Sequence, residues 1–346
     1  MEKSKVYFTD FRTPHSGMSI PQKLQKLIKK AGIGNINFEK QFAAIKIHFG
    51  EPGNISYLRP NFAKAVVDVI KELGGKPFLT DCNTLYVGRR KEALEHMDSA
   101  YENGFSPFST GCHVIIADGL KGTDEAYVPV HNGELVKEAK IGRAIMDADV
   151  FVSLTHFKGH EMAGFGGAIK NIGMGGGSRA GKMEMHNDGH PKVSAKKCIG
   201  CGRCLGICPM DAISTMYDAS LDNLNKKMAE YAQAICYGRP HFHISLIVDV
   251  SPYCDCHGEN DAPIVADIGM LASFDPVALD QACVDLVCAA PPMPNSVLGE
   301  AHAKNAAACE GHDHFHNTSP DSEWKMCLEH AEKIGLGTRQ YELVKI

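Results

Sequence analysis

Four cysteines fall within eleven residues in the stretch KKCIGCGRCLGICPMDAI: Cys198, Cys201, Cys204 and Cys208, with Pro209 after the last. The spacing C-x2-C-x2-C-x3-C-P is that of a chain wrapping a 4Fe–4S cluster in thiolates. Gaps of two residues let three sulfurs converge on one cubane while backbone N–H groups point at the inorganic sulfides. Gly200 and Gly202 let the backbone pass close to such a cluster with no Cβ in the way. A tetrahedral zinc site calls instead for paired C-x2-C knuckles separated by a longer spacer. The chemistry read from these residues is single-electron transfer.

The chain holds one such run, which leaves the fourth sulfur open. Cys208 can fold back onto the same cluster. Cys254 or Cys256, in SPYCDCHGEND, can supply it instead. In a third arrangement, a symmetric homodimer, each Cys208 serves the other copy's cluster. Arg179, Lys182, Lys192, Lys196, Lys197 and Arg203 cluster around the run in sequence. Such cations tune a potential or dock an acidic electron partner, or they form a solvated basic loop.

A second group of reactive side chains lies just upstream, in THFKGHEMAGFGGAIKNIGMGGGSRAGKMEMH, residues 155–186. Gly164, Gly166, Gly167, Gly173, Gly175, Gly176 and Gly177 permit close backbone approach to a ligand, and successive N–H groups there could form an anion-binding nest. The segment is neither a P-loop nor a full dinucleotide fingerprint. His156 and His160, four apart, could share a helix face. Lys170 stands among apolar and small residues, where a lysine with a depressed pKa can serve as base or nucleophile. Cys254, Cys256 and His257, with Glu259 and Asp261, hold enough donors for a second metal or a reactive dithiol. CEGHDHFH, with Cys309, His312, His314 and His316, reads as a polar surface loop. Cys82, Cys112, Cys236, Cys283, Cys288 and Cys327 read as core.

The elements that must position these groups follow from periodicity. Short apolar runs at 6–8, 42–49, 76–81, 113–118 and 150–154 read as strands. Between them, helical stretches run from Pro21 to Ala31, over 62–75, from Lys91 to Asn103 and from Ile141 to Asp147. Beyond the cysteine run, Leu221 to Cys236 reads as a helix and 242–250 as a buried strand. A helix from Asp275 to Ala289 has Asp275 as cap and Pro276 at its favoured first position. A last helix over Glu323 to Ile334 leads to a short strand. This alternation predicts an α/β fold with a mainly parallel sheet and helices on both faces. The expected organisation is an α/β body in two parts, 1–189 and 218–346, with a small cluster-binding module over 190–217.

The chain has 346 residues with 44% hydrophobic and 22% charged, a globular mixture. With 36 basic and 41 acidic side chains its formal charge is -5, which gives no reason to expect a nucleic-acid or anionic-membrane surface. No secretory signal is visible, and no apolar run approaches the roughly 20 residues of a membrane span. Thirteen cysteines, an odd number, point away from a disulfide framework and towards metal ligation in a reducing cytoplasm.

Together, HFKGHEMAGFGGAIKNIGMG, SRAGK, the cysteine run, CDC, DAPIVADIGMLASFDPVALDQ, AEKIGLG with YEL, and KIHFGEPGN with YLRP resemble the "domain of unknown function 362" family of iron–sulfur proteins. The likeness runs along nearly the whole chain. Members of that family often carry two ferredoxin-type runs, so a relay between two clusters does not transfer to this chain. More distantly, the H…AGF-G-G-x-x-K segment is similar to the nickel-pincer lactate racemases. Their cofactor site uses a histidine, a lysine ten residues later and a histidine sixteen after that, intervals at which His160, Lys170 and His186 stand. That resemblance implies a cleft in which Lys170 anchors a cofactor and His186 binds a metal. The leading expectation is a 4Fe–4S protein with a single-electron role, acting on a redox partner protein or a small-molecule substrate. The alternative is a metal-dependent enzyme, racemase-like or redox, with catalytic residues Lys170 and His160 and a structural cluster. Gly164, Gly166 and Gly167 are the cofactor-binding candidates, and His186, Cys254 and Cys256 the candidates for a second metal.

Overall fold

From the amino end the elements are β1 (Ser4–Asp10), α1 (Ile20–Lys30), β2 (Phe42–Lys46), α2 (Pro60–Glu72), β3 (Lys76–Asp81), α3 (Ala93–Glu102), α4 (Pro107–Thr110) and β4 (Val114–Ile116). There follow β5 (Glu125–Pro129), β6 (Glu138–Gly142), α5 (Arg143–Asp147), β7 (Val150–His156), β8 (Lys158–His160), β9 (Gly164–Gly166), α6 (Ala168–Gly176) and α7 (Arg179–Asn187). The rest are α8 (Leu221–Cys236), β10 (His241–Ile247), β11 (Gly269–Ser273), α9 (Pro276–Ala289), α10 (Val297–Asn305), α11 (His314–Thr318), α12 (Trp324–Lys333) and β12 (Tyr341–Lys345). This computed structural model describes residues 3–86, 88–187, 199–204, 221–305 and 313–346. Cys198, Cys208, Pro209 and most of the expected module over 190–217 lie outside the described residues, as do Lys192, Lys196, Lys197, Cys309 and His312.

Eight strands form one sheet in the order β12-β1-β11-β10-β7-β2-β3-β4. Every ladder is parallel except the two made by β11, which runs antiparallel to β1 and β10. Side chains alternate across the sheet with period two. Val150, Val152 and Leu154 of β7 join the core that holds α1 and α2, whereas Phe151 joins the core that holds α6, α8 and α9. Each fully buried side chain of this kind contributes about 1.5–3 kcal/mol. Helices thus cover both faces of a mainly parallel sheet.

Local signals account for several boundaries. Ser19 and Gln22 close a capping box on α1, which buries Leu24, Leu27 and Ile28. Asp275 accepts the N–H groups of Val277 and Ala278, and Pro276 opens α9. Other expectations shift. The helix expected over Ile141 to Asp147 starts only at Arg143, because Ile141 belongs to β6, which pairs with β5 in a hairpin. The stretch 155–186, which shows little periodicity, folds into β8, β9, α6 and α7. Glycine explains how. A Cβ on Gly173 would lie 2.0 Å from the Met228 carbonyl oxygen, so its absence lets α6 lie directly against α8.

Chain order then fixes where a ligand can enter. From β2 the chain steps outward to β3 and β4, then returns to place β7 on the other side of β2. At such a switch point a crevice opens beyond the carboxyl ends of the strands. No described helix is long and apolar enough to cross a membrane.

Candidate functional site

A cavity occupies that crevice. Lys46 ends β2, Asp81 ends β3, and Lys158 opens β8 just beyond β7. Lys170 comes from the first turn of α6, Lys182 from α7, Arg90 from the loop before α3, and Cys254 and Cys256 from the loop after β10. Five cationic side chains therefore line the cavity against one carboxylate, Asp81, and three cysteines, Cys82, Cys254 and Cys256.

Charges behind the wall hold this lining in place. Lys46 Nζ lies 3.0 Å from Asp81 Oδ1 and 2.8 Å from Asn171 Oδ1. Burial opposes ionisation of Asp81, but Lys46, with His48 and His96, outweighs it and holds the carboxyl below the usual range. Arg90 donates through Nε to Glu51 at 2.7 Å and meets His48 Nε2 through Nη1 at 3.0 Å. Asp255, fully buried, meets His156 Nδ1 at 2.9 Å and Lys158 Nζ at 3.0 Å. Pinning this central residue of the Cys-Asp-Cys triplet turns its neighbours Cys254 and Cys256 to the cavity.

Of the expected site residues, Gly166, Gly167, Lys170, Cys254 and Cys256 line this cavity. Lys170 Nζ lies 3.2 Å from Cys254 Sγ. His160 Nδ1 accepts N–H groups from Met162 at 3.1 Å and Ala163 at 3.0 Å, so its proton sits on Nε2 and is directed at Cys254. Cys256 also hydrogen-bonds to Cys254, and this contact, ahead of Lys170 and His160, holds Cys254 well below the ordinary thiol range. Cys256 is raised in turn by its hydrogen bond to Cys254 and by burial. His186 meets Tyr86, another cavity residue, through Nε2 at 2.8 Å. Burial, with Lys170 and His160 nearby, pushes His186 down to about 3 and leaves it neutral.

Several expectations need correction. Burial does act to depress Lys170, but the thiolate of Cys254, with Cys256 and Glu161, raises it above its ordinary value. Lys170 is an ammonium and not a poised base. His156 and His160 lie on strands β7 and β8 and not on one helix face, and His156 braces Asp255. The N–H groups of Ala168 and Ile169, at the start of α6, are taken by Asp280 at 2.6 and 2.9 Å, so the amino end of that helix is not open to a ligand. Gly166 and Gly167 line the cavity, but Gly164 faces Trp324 and Ser322. His186, Cys254 and Cys256 share a neighbourhood without gathering to ligating distance. Among the described residues only Cys236, His241 and His243 place three ligand atoms within 4.8 Å of one another.

The cluster run approaches the cavity from α7. Cys204 packs with Met183 and Leu85, and Arg179, which burial lowers, lies near Asp118 and close to Cys204 and Cys201. Arg179 is buried, and its Nε and Nη2 have no hydrogen-bond partner among the described residues. Gly200 and Gly202 both have left-handed φ, +70° and +67°, and a Cβ on Gly202 would lie 2.6 Å from Arg179 Cγ. Two thiols, close-approach glycines and orphaned cationic donors suit an anionic iron–sulfur cluster, whose sulfides accept N–H bonds.

Sequence reading missed Lys46, His48, Asp81, Arg90 and Lys158 as cavity residues. A signal existed for three of them: Lys46, Asp81 and Lys158 are charged residues at or just past the end of an apolar strand, where α/β folds place ligands.

A charged cavity at the switch point of a mainly parallel, doubly covered sheet defines an α/β protein with its candidate site at the strand carboxyl ends. The chain belongs to the DUF362 family, a domain of unknown function, whose model matches residues 43–285. No curated protein matches the sequence. Among solved structures it is similar to a Thermotoga maritima protein at 16% identity and TM-score 0.42, over 76% of this chain and 57% of that one. This chain therefore spans little more than half of that protein's length. It is also similar to the lactate racemase apoprotein of Thermoanaerobacterium thermosaccharolyticum, at 11% identity and TM-score 0.49, over 93% of this chain and 81% of that one.

Proposed function

We propose that this chain is an iron–sulfur redox protein that moves single electrons between a partner redox protein and an anionic small molecule held in the cavity. The observation that carries this reading is α7. Its Arg179 and Met183 meet Cys201 and Cys204, while its Lys182 lines the cavity and its His186 meets Tyr86 there. One helix thus touches both the cysteine run and the cavity. Cys198, Cys201, Cys204 and Cys208 would hold a 4Fe–4S cluster, which supplies one-electron chemistry when bound. The Arg179 donors favour its more negative state, and the cationic lining balances charge arriving on the ligand. A second reading keeps the cluster structural and gives metal-dependent catalysis to the cavity. It is favoured by the convergence of Lys170 and His160 on Cys254.

Purification without oxygen, with iron and sulfide analysis and EPR after dithionite reduction, tests the proposal. The expected result is a reversible EPR signal with iron and sulfide in equal amounts, both lost in Cys201→Ser and Cys204→Ser. A correctly folded chain that emerges colourless and iron-free refutes it. A cluster that dithionite cannot reduce selects the second reading.

A further inference from the structure

At the opposite end of the sheet, where β7 and β10 begin, a different group of donors comes together. Cys236 is the last residue of α8, and after a short turn His241 and His243 occupy alternate positions of β10, hence the same face. One atom from each of the three lies within 4.8 Å of the other two. His241 Nδ1 faces His243 Nε2 at 2.8 Å, and His243 Nδ1 lies 2.9 Å from Ser153 Oγ on the neighbouring strand.

We propose that Cys236, His241 and His243 bind a divalent metal ion of the zinc class, at a site separate from both the cluster run and the cavity. A thiolate with two imidazoles is the donor set of borderline ions such as Zn(II) and Co(II), whereas calcium and magnesium take oxygen ligands. Tetrahedral zinc with bonds of about 2.0–2.1 Å to nitrogen holds two nitrogens about 3.3 Å apart, so the facing rings separate by about half an ångström from 2.8 Å to admit the ion. Ser153 acts from behind. If its Oγ accepts the His243 Nδ1 proton, Nε2 is left with its lone pair directed at His241, as metal-bound histidines are fixed by outer partners. The facing ring nitrogens then need either one proton or one cation between them. Cys236 and His243 are buried while His241 is partly exposed, so an ion can enter from the His241 side and keep water as its fourth ligand. Such an ion would tie the end of α8 to the start of β10.

The test uses the full chain isolated with its iron in place, stripped of loosely bound metal and titrated with Zn(II), beside His241→Gln and Cys236→Ser. Wild type is expected to retain one more zinc per chain than either variant at unchanged iron content, and zinc is expected to raise its Tm but not that of His241→Gln. Co(II) in place of zinc should give a thiolate charge-transfer band that Cys236→Ser lacks. Because His241 is partly exposed, its variant keeps the test decisive even where Cys236→Ser does not fold. Equal zinc content and equal Tm shift in wild type and His241→Gln overturn the proposal. A hydrogen-bonded histidine pair without metal affinity would give that result.

Discussion

The chemistry of the cavity turns on the adjacent sulfurs of Cys254 and Cys256 and on Lys170 beside them. A thiolate is the reactive form of cysteine, and its population at neutral pH depends on such neighbours. Alkylation of Cys254 by iodoacetamide, followed by peptide mass spectrometry, should therefore have its midpoint well below the ordinary thiol value of about 8.5. In Lys170→Met the midpoint should rise, since an apolar chain of similar length replaces the cation beside Cys254. An unchanged midpoint would mean that Lys170 does not stabilise the thiolate. The sequence shows Lys170 among apolar and glycine residues, which suggests a depressed pKa. Its sulfur neighbours come from a loop 84 positions away, so their contribution is invisible locally.

Helix α6 shows how the glycines of one motif divide between tasks, since Gly175 lines the cavity. Its glycines looked like a cradle for an anion. Gly173 instead admits the backbone of α8, and Asp280 from α9 fills the helix amino end. Gly173→Ala should therefore destabilise the fold by about 1–3 kcal/mol through overpacking, measured as a lower urea midpoint with an unchanged slope. Stability equal to wild type would show that the two helices can move apart at no cost. Helix α8 itself was legible, Leu221 to Cys236 in both readings, because its apolar spacing and length mark it without outside help.

Across the molecule, buried acids set the response to pH. Asp81 and Asp255 are held below their ordinary range, burial opposing and Lys46, or His156 with Lys158, prevailing. A carboxyl lowered in the folded state contributes stability that is present above its unfolded pKa of about 3.9 and is lost as pH falls through the folded value. Asp118 and Asp280, which burial raises to about 6 and about 7, act with opposite sign in a higher window. The informative comparison is thus wild type against Asp255→Asn below about pH 5. Wild type should lose stability there with a slope steeper by up to about 1.4 kcal/mol per pH unit, read from urea unfolding at a series of pH values. Parallel profiles would remove Asp255 from the account. Asp255→Asn should also be less stable at neutral pH, because it leaves His156 and Lys158 buried without their anion.

The sequence by itself determined the α/β class, most strands and helices, and the cysteine spacing on which the iron–sulfur reading rests, because these depend on periodicity and on residues close together in the chain. Tertiary structure alone decided that the ends of β2, β3 and β7 open onto one cavity with α6, α7 and the Cys-Asp-Cys loop. It also decided which glycines pack helices, and that Cys236 stands beside His241 and His243. These outcomes depend on strand order and on charges meeting across long separations, and local residue patterns carry no record of either.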